Sequence, residues 1–181
     1  FRRVLFRSSG LYKSTDSGAT WEKMTKGLPE EMGKMAIAVS RSNPNTVWAL
    51  IESDSHKDGR GLYVSHNAGK SWDQVSSDSR LVQRAWYYIE LFVDPKRDDT
   101  VYVLSASAYR STDGGKNWDE INGTHGDFHD LWINPNDGDN FIISNDGGSS
   151  ITFDGGASFS TQRNQPTGQF YRINVDNQFP Y

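Results

Sequence analysis

One eight-residue pattern, Ser/Thr-x-Asp-x-Gly-x-x-aromatic, recurs four times in this 181-residue chain and constrains its fold more than any other feature. The copies are Ser14 to Trp21 (STDSGATW), Ser65 to Trp72 (SHNAGKSW), Ser111 to Trp118 (STDGGKNW) and Thr152 to Phe159 (TFDGGASF). The second has Asn67 for aspartate, and the fourth has Phe159 for tryptophan. The third positions, Asp16, Asn67, Asp113 and Asp154, are 51, 46 and 41 residues apart. Self-similarity at such a period marks an array of one supersecondary unit.

Each position has a physical task. A short carboxylate or amide accepts hydrogen bonds from backbone N–H groups just ahead of it and holds a tight turn. Gly18, Gly69, Gly115 and Gly156 supply the positive φ that such a turn needs. Trp21, Trp72, Trp118 and Phe159 then start the next strand and pack into the layer between sheets. Four unrelated hairpins would not repeat the aromatic.

Alternating apolar segments complete the unit. First strands are expected at Met35 to Val39, Tyr88 to Val93, Leu131 to Ile133 and Tyr171 to Val175, and second strands at Thr46 to Ile51, Thr100 to Leu104 and Asn140 to Ser144. Pro44, Pro95 and Pro135 stand between them, where proline fixes φ and cannot join a ladder. Third strands run through GLYK, GLYV, SAYR and GSSI into the repeats, and fourth strands follow each aromatic. The period is close to the ~40–45 residues of a four-stranded propeller blade. The expectation is an all-β fold, a partial β-propeller of four-stranded antiparallel blades truncated at both ends. A partial blade covers 9–27, blades cover 33–77, 86–122 and 128–163, and another opens at 168–181. Propellers close with ~4–8 blades, so the remaining blades are expected outside this chain. Residues 1–8, FRRVLFRS, read as one frame of a short-read sequencing adapter and are set apart from 9–181.

Composition narrows the partners. A net charge of −4, from 19 basic and 23 acidic residues without long runs, favours neither nucleic acid nor an anionic membrane surface. No apolar run reaches the length of a membrane span. The absence of cysteine excludes a disulfide framework and leaves the compartment open.

The four repeats resemble the Asp-box, or bacterial neuraminidase repeat, superfamily. Within it, GDFHDLWINPNDGDNFIISNDGGSSITFDGG and NQPTGQFYRINVDNQFPY look like bacterial sortilin-type propellers often called glycosyl hydrolases. More distantly the layout is similar to the family 74 xyloglucanases. The resemblance implies a secreted or periplasmic protein, and it implies that the boxes are structural turns on the face away from the ligand. Fold analogy alone carries no function.

If the box joins third and fourth strands, it shares one face with the proline turns, and the other loops emerge opposite. Binding groups are sought on that opposite face. There Trp86, Tyr87 and Tyr88, beside Arg84 and with Glu90 in the next strand, suit stacking on sugar rings; the competing role is blade packing. His125, Asp127, His129 and Asp130 crowd two imidazoles and two carboxylates into six residues. Such density supplies a general acid and base, or metal ligands, though satisfying backbone groups at a strand start is the plainer role. No metal or cofactor is expected. Asp127, Asp130 and Glu90 are the catalytic candidates, with Asp146 also available, for a glycosidase needing two carboxyl groups ~5 Å or ~6.5–9.5 Å apart. A sialidase would want clustered arginines, and Arg60, Arg80, Arg84 and Arg163 show no such spacing. Asn136-Asp137-Gly138-Asp139 lacks the downstream glutamate of a calcium loop and reads as a turn, and Asn122-Gly123-Thr124 is a chance-level glycosylation match. The leading expectation is an extracytoplasmic module that binds a peptide, protein or glycan. The alternative is a hydrolase of a xyloglucan-type β-glucan.

Overall fold

A computed structural model describes residues 9–53, 59–163, 176 and 178. The expected strand at Tyr171 to Val175 and the loop at 164–169 therefore lie outside the described residues. Among the described residues thirteen strands form four antiparallel sheets, each a meander in chain order. Sheet I is β1 (Leu11–Lys13) and β2 (Glu22–Met24). Sheet II is β3 (Met35–Val39), β4 (Val47–Ile51), β5 (Gly61–Ser65) and β6 (Asp73–Ser76). Sheet III is β7 (Glu90–Val93), β8 (Val101–Leu104), β9 (Ala108–Ser111) and β10 (Asp119–Glu120). Sheet IV is β11 (Phe128–Ile133), β12 (Phe141–Asn145) and β13 (Gly148–Thr152). No helix among the described residues is long and apolar enough to cross a membrane.

The sheets stack through three apolar layers. Leu11, Met24 and Met32 meet Ala49, Ile51, Tyr63 and Trp72 between sheets I and II. On the other face of sheet II, Trp48, Leu50, Leu62 and Val64 meet Leu91, Val101, Val103 and Tyr109. Tyr102 and Leu104 then face Phe128, Leu131, Phe141 and Ile143 of sheet IV. Central strands β4, β5 and β8 are thus covered on both sides, which is why they read as continuous apolar runs. The first strands lie side by side, β3 against β7 and β7 against β11, so the sheets radiate from one edge.

All four boxes join third to fourth positions, and all four make the same bonds. The first-position hydroxyl donates to the third-position side chain (Ser14 Oγ to Asp16 Oδ1, 2.7 Å) and accepts the glycine N–H (Gly18, 2.8 Å). The third-position oxygen takes the N–H four residues on, from Thr20, Ser71, Asn117 and Ser158, rather than one immediately beside it. The tryptophan Nε1 donates to the glycine carbonyl at 3.0–3.1 Å in the first three. Ser17, Ala68, Gly114 and Gly155, each just before the box glycine, also have positive φ, so the turn needs two successive left-handed residues. Box and proline turn share one face, as expected: Ala68 N bonds Asn45 O, Gly114 N bonds Asp99 O and Gly155 N bonds Asp139 O.

Three local expectations are corrected. Trp72, Trp118 and Phe159 pack inward, but Trp21 is 63% exposed, because no described sheet precedes sheet I. The strand expected from Tyr88 begins at Glu90, since the Tyr88 N–H is used by Arg84 O in the preceding turn. After Phe159 no fourth strand forms among the described residues. Ser160 alone takes its place, its N–H on Ile151 O and its hydroxyl accepting the Ile151 N–H.

Candidate functional site

The loops opposite the boxes gather at the entrances of the first strands. A 3-10 turn, Ser79–Val82, capped by Asp78, opens the loop into β7 and buries Leu81 and Val82. The following turn is closed by Arg84 O, which accepts both Tyr87 N–H and Tyr88 N–H. This fixes the backbone beneath three consecutive aromatics. Trp86 is 65% exposed and Tyr87 52%, with centroids 5.9 Å apart and planes tilted by 32°. Tyr88 turns inward, donating its hydroxyl to Ser105 O at 3.0 Å. Of the three rings expected either to pack or to bind, one packs and two stand in solvent.

Arg84 is the hub of this loop. Its guanidinium lies 5.6 Å from the Trp86 ring and 5.9 Å from those of Tyr87 and Tyr88, and it is ion-paired with Asp127. Asp127 has φ 59°, a conformation that costs a residue with a Cβ, held by its N–H on Ala106 O and its carbonyl taking the Asp146 N–H. Its carboxylate is therefore engaged with Arg84. Lys34, at the mouth of β3, donates Nζ to Tyr87 O and ties sheet II to this loop.

The strand entering sheet IV is bulged. Phe128 pairs with Asn145 and Asp130 with Ser144, leaving His129 as the extra residue. A bulge re-aims a side chain. The His129 ring lies 4.8 Å from that of Tyr88, and its Nε2 donates to Asp146 Oδ1 at 2.8 Å. His125 is used differently, its Nδ1 donating to Gly126 O at 2.9 Å and its backbone N–H to Gln162. The two imidazoles, four residues apart, thus have separate partners. Among the described residues no group of three or more His, Cys, Asp or Glu is placed to hold a metal.

Glu90 and Asp130 are near enough for the charge of one to act on the other. Ser40, Asp94 and Asn134 make the same bond at the end of β3, β7 and β11, each N–H reaching the carbonyl before the next strand. Counting back from them, Ala36, Glu90 and Asp130 hold one equivalent position, and β7 lies against β11. Glu90 is exposed at its edge yet crowded by neighbours. Desolvation, and then the charge of Asp130, push its carboxyl above the ordinary range, with Lys34 and His129 opposing. Lys34 was not among the sequence candidates. Aligning the first strands on their closing turn puts it level with Tyr88 and Phe128, the signal that could have found it.

Comparison with known proteins agrees with this architecture. A profile of the BNR/Asp-box repeat matches residues 109–120. Over 131 residues the chain is 28% identical to a probable oligoxyloglucan-reducing end-specific xyloglucanase of Neosartorya fischeri, covering 67% of this chain and 15% of that protein. Over 153 residues it is 27% identical to a sialidase of Bacteroides fragilis, covering 60% of this chain and 28% of that one. An ancestral GH74 enzyme superposes with a TM-score of 0.58 at 15% identity, over 86% of this chain and 21% of that chain. YCF48 from Cyanidioschyzon merolae does so at 0.53 and 22%, over 78% and 40%, and YCF48 bound to D1 peptide also matches. The chain carries Asp-box repeats on an all-β propeller fold, and it spans a minor part of these curated relatives.

Proposed function

We propose that this chain is part of an extracytoplasmic β-propeller that binds a glycan at the loop face opposite its Asp boxes. The observation that carries the reading is the pair of exposed, backbone-fixed rings of Trp86 and Tyr87, steadied by the Arg84 guanidinium beneath a turn that cannot easily rotate. Two adjacent aromatic faces fixed side by side in solvent match the apolar faces of sugar rings. The relatives' names, a xyloglucanase and a sialidase, point to the same ligand class. The test is titration of the full chain with xyloglucan oligosaccharides and with short peptides. Trp86→Ala and Tyr87→Ala are expected to weaken oligosaccharide binding by about ten-fold or more, a loss of ~1.4 kcal/mol or above, with unchanged melting. Saturable peptide binding with no oligosaccharide response would replace the glycan by a peptide ligand.

A second reading, hydrolysis of a xyloglucan-type β-glucan, is favoured by the Glu90 and Asp130 pair. Glu90, whose hold on a proton is strengthened by desolvation and by the charge of Asp130, would serve as general acid and Asp130 as base. Release of reducing ends that Glu90→Gln abolishes would establish it. Retention of oligosaccharide without cleavage leaves the binding reading in place.

A further inference from the structure

On the outer face of sheet IV, Trp132 pairs with Ile142 and Ile142 with Ile151, which makes one cross-strand row. All three side chains are exposed, Trp132 by 55%, and so is Phe153 two residues beyond Ile151. A connected apolar row in solvent marks a contact surface. The same register position is held in sheet II by Ala38, Trp48 and Val64, and in sheet III by Phe92, Tyr102 and Arg110. Those rows are covered, Trp48 and Val64 by sheet III and Tyr102 by sheet IV. What covers such a row inside the chain is therefore the opposite face of another sheet of the same repeat.

That opposite face is also defined. Each sheet meets the one before it through its box aromatic, joined in two cases by the tyrosine two residues ahead of the box: Trp72 and Tyr63 on sheet I, Trp118 and Tyr109 on sheet II, Phe159 on sheet III. In sheet I the same two positions are Trp21 and Tyr12, and both are exposed. A concavity of about 390 Å³ beside Trp21 is lined by Lys13, Lys23, Lys26 and Lys70, with Glu22 the one acid among its lining residues. Residues 128–162, which build sheet IV and its loops, carry Asp130, Asp137, Asp139, Asp146 and Asp154 and no lysine or arginine. The two ends of the array are thus complementary in shape class and opposite in charge.

We infer that the outer face of sheet IV docks on the Trp21 face of sheet I in a second copy of this chain, and that two copies joined head to tail close a ring. A head-to-tail contact generates a ring where its rotation closes and a filament where it does not. Each copy brings four described sheets, so two bring eight, within the ~4–8 blades at which propellers close. The contact repeats the layer made three times inside the chain, and in the ring every end face is covered. Trp86 and Tyr87 belong to neither face, so the inference goes beyond the glycan reading and does not depend on it.

Sedimentation velocity of the full chain between ~0.1 and ~100 μM tests it, since that range brackets micromolar association. The mass is expected to double across the range. Trp21→Glu and Trp132→Lys should each hold the chain at the mass of one copy, because the first removes every receiving face and the second every docking face. An equimolar mixture of the two variants should regain the doubled mass, at about ten-fold or higher concentration, since only one of the two contacts can then form. At the lowest concentration, where the parent is a single copy, all three should melt alike, because both substitutions lie on exposed side chains. A parent that stays at one copy throughout overturns the inference and leaves the row of sheet IV to other parts of its own chain. Loss of pairing in one variant alone, or a mixture that regains nothing, overturns the head-to-tail contact, and growth beyond two copies overturns the ring.

Discussion

At the residue scale the box is a small electrostatic device. Asp16, Asp113 and Asp154 are held down to about 2, Asp16 chiefly by the Thr20 hydroxyl, Asp113 by the Asn117 N–H and Asp154 by the Ser158 hydroxyl. A carboxyl lowered on folding contributes stability above its unfolded pKa and loses it as pH falls through the folded value. Acid unfolding should therefore steepen between about pH 4 and pH 2. Asn67 makes the same bonds without a charge, its Oδ1 accepting the Ser71 N–H and its Nδ2 donating to Ser71 Oγ at 2.7 Å. Replacing all three aspartates by asparagine should flatten that acid limb in a pH series of urea titrations, while an unaltered limb would locate acid sensitivity elsewhere. The left-handed residue before each box glycine gives a second expectation. Ala68 pays for its φ of 56° where Gly114 and Gly155 do not, so Ala68→Gly should stabilise by about 0.5–1 kcal/mol, and a lowered urea midpoint would refute the strain argument. The aspartate, glycine and aromatic were legible in the sequence because they recur. The hydroxyl or amide at the seventh position (Thr20, Ser71, Asn117, Ser158) escaped notice because its identity varies, although each is bonded to the third-position side chain, Ser71 as acceptor and the others as donors.

At the element scale one sequence signal has different energetic weight in different sheets. Trp72 is 5% exposed against Met24 and Tyr63, whereas Trp21 stands in solvent although both make the same Nε1 bond to the box glycine carbonyl. Trp72→Ala should cost ~3–5 kcal/mol, and Trp21→Ala should stay within ~0.5 kcal/mol. Equal losses in chemical denaturation would mean that the indole bond, and not burial, secures the turn. Strand positions were legible for the same reason the cores are: β4, β5 and β8 are sandwiched, so their apolar runs need no alternation to be recognised. The start of β7 was misplaced because Tyr88 looks like a strand residue by type, while its N–H belongs to the Arg84 turn, a local competition that composition does not reveal. The candidate site was legible only as a set of residue types. The bulge that singles out His129 is a register shift between β11 and β12, and the Arg84 ion pair that occupies Asp127 and the contact between Tyr88 and His129 are products of sheets meeting, which no spacing within one blade encodes.

At the scale of the whole molecule, the two faces of the stacked sheets set opposite pH responses. On the box face, adjacent sheets are stitched by neutral and charged bonds: Trp48 Nε1 to Asp98 O, Thr46 Oγ1 to Asp98 Oδ2, Lys96 Nζ to Asn136 O and Arg110 Nη1 to Gly155 O. The box aspartates Asp16, Asp113 and Asp154 on this face favour the ionised form. On the loop face, Glu90 is crowded by desolvation and by Asp130 across the boundary between sheets III and IV, and its carboxyl is raised. A raised acid binds its proton more tightly folded than unfolded, so its ionisation withdraws stability as pH climbs from the ordinary glutamate value through the folded one. The chain should thus be most stable between an acid limb owned by the boxes and a shallower decline owned by Glu90. Glu90→Gln should raise the melting temperature at pH 7 and leave it unchanged at pH 4, where the wild-type carboxyl is already largely protonated. Asp130→Asn should reproduce part of that gain by removing the opposing charge, and the two gains should fall short of additive in the double variant because each relieves the same repulsion. A gain in Glu90→Gln that is independent of pH would assign the effect to packing and would remove the electrostatic case for Glu90 as an acid in the site.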